Sequence, residues 1–338
     1  MARPILNTWM LLGAVGLSAV GCSASDIVSD EAFELTRYDS DVSSDVSDPS
    51  AQLAGPSADT SCSAPLGAAP TAVAASSVSS LRNMPAPKGP YPVVMESDPG
   101  LSTHTVYRPA TLGTIKHPVV VWGNGGCVKD GTGFAVFLRE FASHGFVVIA
   151  DGKPNGGFGG GGGMMGDATP LTKALDWIIA ESKRPCSQYY DKLDTSKTAA
   201  MGQSCGGLMA LRASKDPRLS TVVVWNSGLF ARDQAIYNGL HTPVAYFIGG
   251  RSDIAYANAE ADVKAITKVP LFYGNLDVGH GGTYFQANGG EFANAGIGWL
   301  KWHLMGDEGE TGKGLFSGSE CALCKPPSKW VVVKKNLD

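Results

Sequence analysis

Charge is sparse in this 338-residue chain: charged side chains make up 17% of it, and the formal balance is only -4. Even that imbalance is local. Residues 23–60 hold nine carboxylates against the single Arg37, so with Arg3 ahead of them residues 61–338 come to +3. A body so nearly neutral lacks the basic face that would hold nucleic acid. The chain also lacks a membrane-spanning run: its amino-terminal apolar stretch, residues 8–20, falls short of the roughly 20 residues a bilayer requires. No period of 20–50 residues repeats, which excludes solenoids and propellers. No G-x-x-x-x-G-K-[ST] phosphate loop occurs, and the C-x-x-C of Cys321 and Cys324 has no second pair or histidine partner to complete a zinc site. Neither a metal nor a cofactor is therefore expected. What is present is 43% apolar residues, with 43 glycines and 20 prolines. That excludes a fully disordered or fibrous chain and suits one large α/β domain or two small ones.

The first 22 residues read as an address. Arg3 precedes the apolar stretch, whose length suits the core of a signal peptide. It ends in Ala19, Val20, Gly21 and Cys22, a run that resembles a bacterial lipobox, with Ala19 where leucine is commoner. The resemblance implies lipid on Cys22, and Ser23 behind it implies sorting to the outer membrane. An exported, lipid-anchored protein is expected, with periplasmic or secreted location as the alternative. Residues 23–80 are dominated by Ser, Asp, Ala, Pro and Thr, too apolar-poor to offset the entropy of ordering, and are predicted to be a disordered tether. Val28, Phe33, Leu35 and Tyr38 leave room for one short helix there.

The remainder, residues 81–338, reads as one α/β domain. Strand-length apolar runs at 104–107, 118–122, 146–150, 198–201, 221–225, 244–248 and 271–273 alternate with helical patterns at 133–143, 167–181, 205–214, 258–266 and 291–303. That alternation predicts a mostly parallel, doubly wound sheet flanked by helices. Asp167 is the expected cap of the second helix. The glycine-dominated stretch 155–166 before it is expected to be a loop at the carboxyl edge of the strands, where ligands bind in such sheets.

Gly202, Gln203, Ser204, Cys205 and Gly206 match G-x-S-x-G, with a predicted strand before and a predicted helix after. This context makes the pattern informative in a glycine-rich chain. A tight strand-to-helix turn pushes the serine hydroxyl outward at the head of a helix, where the Cys205 amide and the helix dipole can hold an oxyanion. Serine needs a base, and the base an orienting acid. Of six histidines, His104 and His117 begin early strands, His144 lies in a helix-to-strand turn, His241 sits at the foot of a strand and His303 is expected to face out of the last helix. His280 alone falls late in the chain on a strand's carboxyl side. Asp253, delivered by Gly249, Gly250, Arg251 and Ser252, is the first candidate acid, with Asp262 and Asp277 as rivals. The order Ser204, Asp253, His280 is that of α/β hydrolases. A second oxyanion donor is expected from the loop Gly123, Asn124, Gly125, Gly126, Cys127, with Asn124 first and Gly125 second; a plain glycine turn is the alternative reading.

With these residues in place, the body resembles the cutinase-like polyester hydrolases and their relatives in the dienelactone hydrolase and chlorophyllase-like group. The likeness extends beyond the elbow to Thr105, Val106, Tyr107, Arg108, Pro109; to 142–149; to 190–195; and to the closing helix around Trp299 and Met305, spanning roughly residues 90–325. It implies the α/β-hydrolase fold, Ser204, Asp253 and His280 as triad, and Asn124 and Cys205 at the two oxyanion positions. Where that group carries an aromatic residue and Met, this chain has Asn124 and Cys205, and the group's aromatic platform has no clean match, although Trp225 and Phe230 are near. A site without that clamp loses about 0.5–1.5 kcal/mol of stacking on a flat acyl group. A small or aliphatic ester is thus the expected substrate ahead of an aromatic polyester. Beyond Cys22 there are six cysteines, for which export suggests disulfides, and a Cys127–Cys205 bond would brace both oxyanion donors. The expected activity is a serine esterase; a lactone hydrolase or peptidase on the same fold, or a binding module without chemistry, are the rivals.

Overall fold

The computed structural model describes residues 71–72, 84–157 and 165–337. The chain divides into a unit of residues 1–58 and a unit of residues 59–338, and all described residues fall in the second. The expected signal peptide, the lipid site Cys22 and nearly all of the expected tether lie outside the described residues. Only Thr71–Ala72 of the tether segment is described, and it adds a two-residue strand to the sheet ahead of residue 81.

In chain order the strands are β1 (Thr71–Ala72), β2 (Val93–Ser97), β3 (His104–Pro109), β4 (His117–Gly123), β5 (Val147–Asp151), β6 (Leu193–Gln203), β7 (Thr221–Trp225), β8 (Val244–Ile248), β9 (Leu271–Asn275) and β10 (Val331–Lys335). They form one sheet in the order β1-β2-β3-β5-β4-β6-β7-β8-β9-β10. From β5 to β9 all pairings are parallel; β1, β2 and β3 extend one edge and β10 the other, all antiparallel. The sheet is mostly parallel and doubly wound, as the strand and helix pattern predicted.

The central strands are buried on both faces because their side chains alternate between two separate apolar layers. Val119 and Val121 of β4 enter one layer with Ile149, Val222, Val224 and Tyr246; Val120 and Trp122 enter the other with Val148, Val223, Trp225 and Phe247. The first layer is covered by α2 (Thr169–Lys183), α3 (Cys205–Ala213) and α5 (Tyr256–Ala265), through residues such as Leu175, Leu211 and Val263. The second is covered by α1 (Ala135–Ser143) and α6 (Gly290–Met305), through Phe137, Phe141, Phe292 and Trp299. Each such large apolar side chain withdrawn from water contributes about 1.5–3 kcal/mol against the entropy of ordering.

A short helix that the sequence pattern did not suggest, α4 (Gln234–Gly239), starts where Asp233 accepts the amides of Ala235 and Ile236. Asp167 accepts the Thr169 amide at 3.1 Å, but the cap position of α2 is Ala168, so the cap expected at Asp167 sits one residue before it. Among the described residues no helix is long and apolar enough to cross a membrane.

Candidate active site

β6 ends at Gln203 and α3 begins at Cys205, so Ser204 alone makes the turn. Its backbone has φ 54° and ψ −115°, a conformation that L-residues adopt only when their surroundings impose it. Those surroundings are visible. The Ser204 amide donates to Trp225 O at 2.9 Å, and the Ser204 carbonyl accepts the Gly207 amide at 2.9 Å and the Ser227 hydroxyl at 2.6 Å. The flanking glycines are required by close approach: a Cβ on Gly202 would lie 2.2 Å from Gly206 O, and one on Gly206 would lie 1.9 Å from Gly123 O. The second contact presses the elbow directly against the loop after β4.

The hydroxyl so placed lies 3.1 Å from His280 Nε2, and His280 Nδ1 lies 2.6 Å from Asp253 Oδ1. A carboxylate cannot donate, so the ring proton sits on Nδ1 and Nε2 is left to accept from the serine. Asp253 follows β8, and His280 follows β9, the neighbouring parallel strand. Their loops are zipped together by the Val278 and Gly279 amides, which donate to Gly249 O at 3.1 and 2.6 Å. The Asp253 carboxylate is 3% exposed and fully bonded: Oδ1 also accepts the Ala255 amide at 2.9 Å, and Oδ2 accepts the Gly249 amide at 3.0 Å and the Asn226 side chain at 2.6 Å. Burial acts to raise its pKa, but His280 and these donors together hold it below the ordinary carboxylate value.

The rival acids are placed elsewhere. Asp277 is exposed on the loop after β9, and Asp262 lies inside α5, bonded to Tyr237, Tyr246 and the Leu229 amide. The other histidines lie away from Ser204. His104 and His117 are buried and bonded to backbone carbonyls, and His144 pairs with Glu140. The expectation that His303 faces outward is corrected: its ring packs against both Trp299 and Trp302, with centroids 4.1 and 4.4 Å away, and burial lowers its pKa to about 4. The apolar face of α6 is wider than its sequence spacing suggested, because Trp299 and Trp302 both pack on His303.

Across the elbow, Asn124 is an internal strut. It is 2% exposed; its Oδ1 accepts Trp122 Nε1 at 2.9 Å, and its Nδ2 reaches the carbonyls of Val128, Asp130 and Asp151. This fixes the turn 124–127, whose Gly126 and Cys127 line the cleft at Ser204. Gly125 sits against Gln203: a Cβ there would meet Gln203 Oε1 at 1.9 Å. Cys127 is disulfide-bonded to Cys205, the residue after Ser204, so the turn and the head of α3 are covalently joined beside the nucleophile. Cys321 and Cys324 form a second bridge, and Cys186 is disulfide-bonded as well. The Cys205 amide, first in α3, has no acceptor within the helix and points its positive dipole end toward the serine.

The cleft over Ser204 has a volume of about 630 Å³. Lys129, Asp167 and Pro170 border one side, and Ser227, Phe230, Ile254 and Asn258 the other. Three large apolar side chains stand exposed at its rim: Met165 (59%), Phe230 (74%) and Ile254 (79%). Trp225, the other aromatic residue noted near the site, is instead wholly buried and stacked on Phe247. Among the described residues no group of three His, Cys, Asp or Glu side chains could hold a metal ion. Sequence reasoning overlooked Asn226 and Gln203, both in contact with the relay. The available signal was position, since each ends or directly follows a parallel strand at its carboxyl edge.

A family model described as PET hydrolase-like matches residues 67–312, which include Ser204, Asp253, His280 and the loop after β4. No curated protein matches the chain.

Proposed function

The chain belongs to the PET hydrolase-like family of serine ester hydrolases, and from that premise we propose that Ser204, His280 and Asp253 are its catalytic triad and that it cleaves carboxylic esters through an acyl-serine intermediate. The observation that carries this reading is the unbroken hydrogen-bonded line from Ser204 Oγ through His280 to Asp253, opening into a cleft at a strained elbow. His280 Nε2 takes the hydroxyl proton as Ser204 attacks the ester carbonyl, then returns it to the departing alcohol; water repeats the cycle to free the acid. Asp253 holds the Nδ1–H tautomer and stabilises the imidazolium. The developing oxyanion is held by the Cys205 amide and an amide of the turn containing Asn124 and Gly125, donors that need no reorganisation during the reaction.

The rim favours an apolar acyl group. Among the described residues lining the cleft Phe230 is the one aromatic ring, exposed at the rim, which suits a small or aliphatic ester, and polyester chains of that kind fit an open cleft of this shape. Export with a lipid on Cys22 completes the proposal: a surface-tethered enzyme meets esters too large or insoluble to enter a cell. Ser204→Ala is expected to abolish turnover of p-nitrophenyl butanoate with an unchanged circular dichroism spectrum. Retained turnover refutes the triad. Mass measurement of the exported protein, with a diacylglyceryl-modified Cys22 expected, tests the anchor.

A further inference from the structure

Asn226 directly follows β7 and is wholly buried, yet its backbone has φ 42°, in the left-handed region. Its side chain makes three contacts. Nδ2 donates to Asp253 Oδ2 at 2.6 Å and, more weakly, to the carbonyl of Gly279 at 3.3 Å, and Oδ1 accepts the hydroxyl of Tyr284. One amide therefore touches the acid of the relay and the residue immediately before its histidine. Tyr284 is itself wedged among Trp122, Phe134, Phe137 and Phe292, with centroids 4.9 to 6.5 Å away, and is 1% exposed. Its position is set by the core, not by the cleft.

We infer that Asn226 and Tyr284 are positioning residues which extend the relay inward, aiming the Asp253 carboxylate and draining charge from its far oxygen. This rests on the triad reading above. Asp253, held ionised, can only accept, so Asn226 must present its amide to Asp253 and its oxygen to Tyr284, whose phenol, kept protonated by burial with the Asp253 charge nearby, donates to it. The orientation of the amide is thus fixed. The ionisable groups around Asp253 are His280, Tyr284 and Tyr273, and both phenols are held neutral by burial. Removing a donor from the outer carboxylate oxygen leaves more negative charge facing the imidazolium and raises the pH at which His280 loses its proton.

The test is the pH dependence of p-nitrophenyl butanoate hydrolysis by wild type, Asn226→Ala, Tyr284→Phe and Ser204→Ala. Asn226→Ala is expected to lower kcat by at least tenfold with KM changed less than threefold, and to move the acid limb of the kcat profile to higher pH. Tyr284→Phe, which keeps the ring packing, is expected to shift the limb in the same direction by less. If Asn226→Ala does not fold, the Tyr284→Phe shift decides alone. An unmoved limb in the folded variants, or one moved to lower pH, overturns the inference even if kcat falls, because a merely structural role lowers activity without changing the titration. An inactive wild type, or an active Ser204→Ala, instead overturns the triad on which the inference rests.

Discussion

Asp253 and Asp262 lie nine residues apart, at the head of α5 and within it, and are almost equally buried, at 3% and 1% exposed. Their environments are nevertheless opposite. Asp253 faces an imidazole, a side-chain amide and two backbone amides, and its pKa is held down; Asp262 faces one backbone amide and two phenols, and burial raises its pKa despite them. One carboxylate is kept ionised at the edge of a cleft. The other ties Tyr237, Tyr246 and the Leu229 amide together beneath the Phe230 loop. Burial alone therefore says nothing about role; the partners do.

The comparison breaks most sharply on activity. Asp253→Asn is expected to lower kcat roughly 10⁴-fold, the scale found when a triad acid is neutralised. Asp262→Asn is expected to leave kcat within a fewfold. Asp262→Ala strands two phenols and an amide and should cost about 3 kcal/mol in urea unfolding. Equal kinetic effects at the two positions would erase the distinction. The pH dependence of stability separates them by sign. Asp253, with its native pKa depressed, adds stability that is lost as pH falls through that pKa. Asp262, with its native pKa raised, takes up its proton earlier when folded and regains stability over the acid range.

The two described disulfides extend the contrast between cleft and periphery. Cys127–Cys205 closes a loop of 78 residues beside Ser204, whereas Cys321–Cys324 spans three. On loop-closure entropy, replacing the first pair with serine should cost about 4 kcal/mol and the second about 2 kcal/mol. Only the first should also lower kcat, as read by ester hydrolysis alongside chemical unfolding.

The smallest expected effect concerns two histidines. His280 lines the cleft, while the half-buried His303 has no partner for its Nε2 and its pKa is lowered to about 4. The unfolded chain binds this proton near pH 6.5, so stability should fall as pH drops from 6.5 to 4. His303→Phe should flatten that slope, measured as melting temperature against pH, and leave hydrolysis unaltered.

The sequence disclosed the parallel strands because runs such as Val119, Val120, Val121 and Trp122 are apolar on both faces, and only a doubly covered sheet accepts such runs. It singled out Ser204, Asp253 and His280, which the structure brings into hydrogen-bond contact, because each follows a strand in a loop with glycines. The edges were harder to read. β2 is buried only at Met95 and Glu96, and Val331 and Val333 of β10 are exposed ahead of Lys334 and Lys335, so neither strand shows a clear apolar face. α4 is only six residues long, too short for its periodicity to register. Asn124 was legible as a loop residue but not as a strut, since its four partners come from β4, the following loop and β5. Asn226 and Tyr284 meet only in three dimensions, 58 positions apart.

The central claim is that one serine is activated by its neighbours in the fold. Its most direct test is reaction of the intact protein with a fluorophosphonate, followed by peptide mapping of the adduct. The account requires a single phosphonyl group on Ser204, absent from Ser204→Ala and formed far more slowly in Asp253→Asn. A protein that stays unmodified, or carries its adduct on another residue, contradicts it.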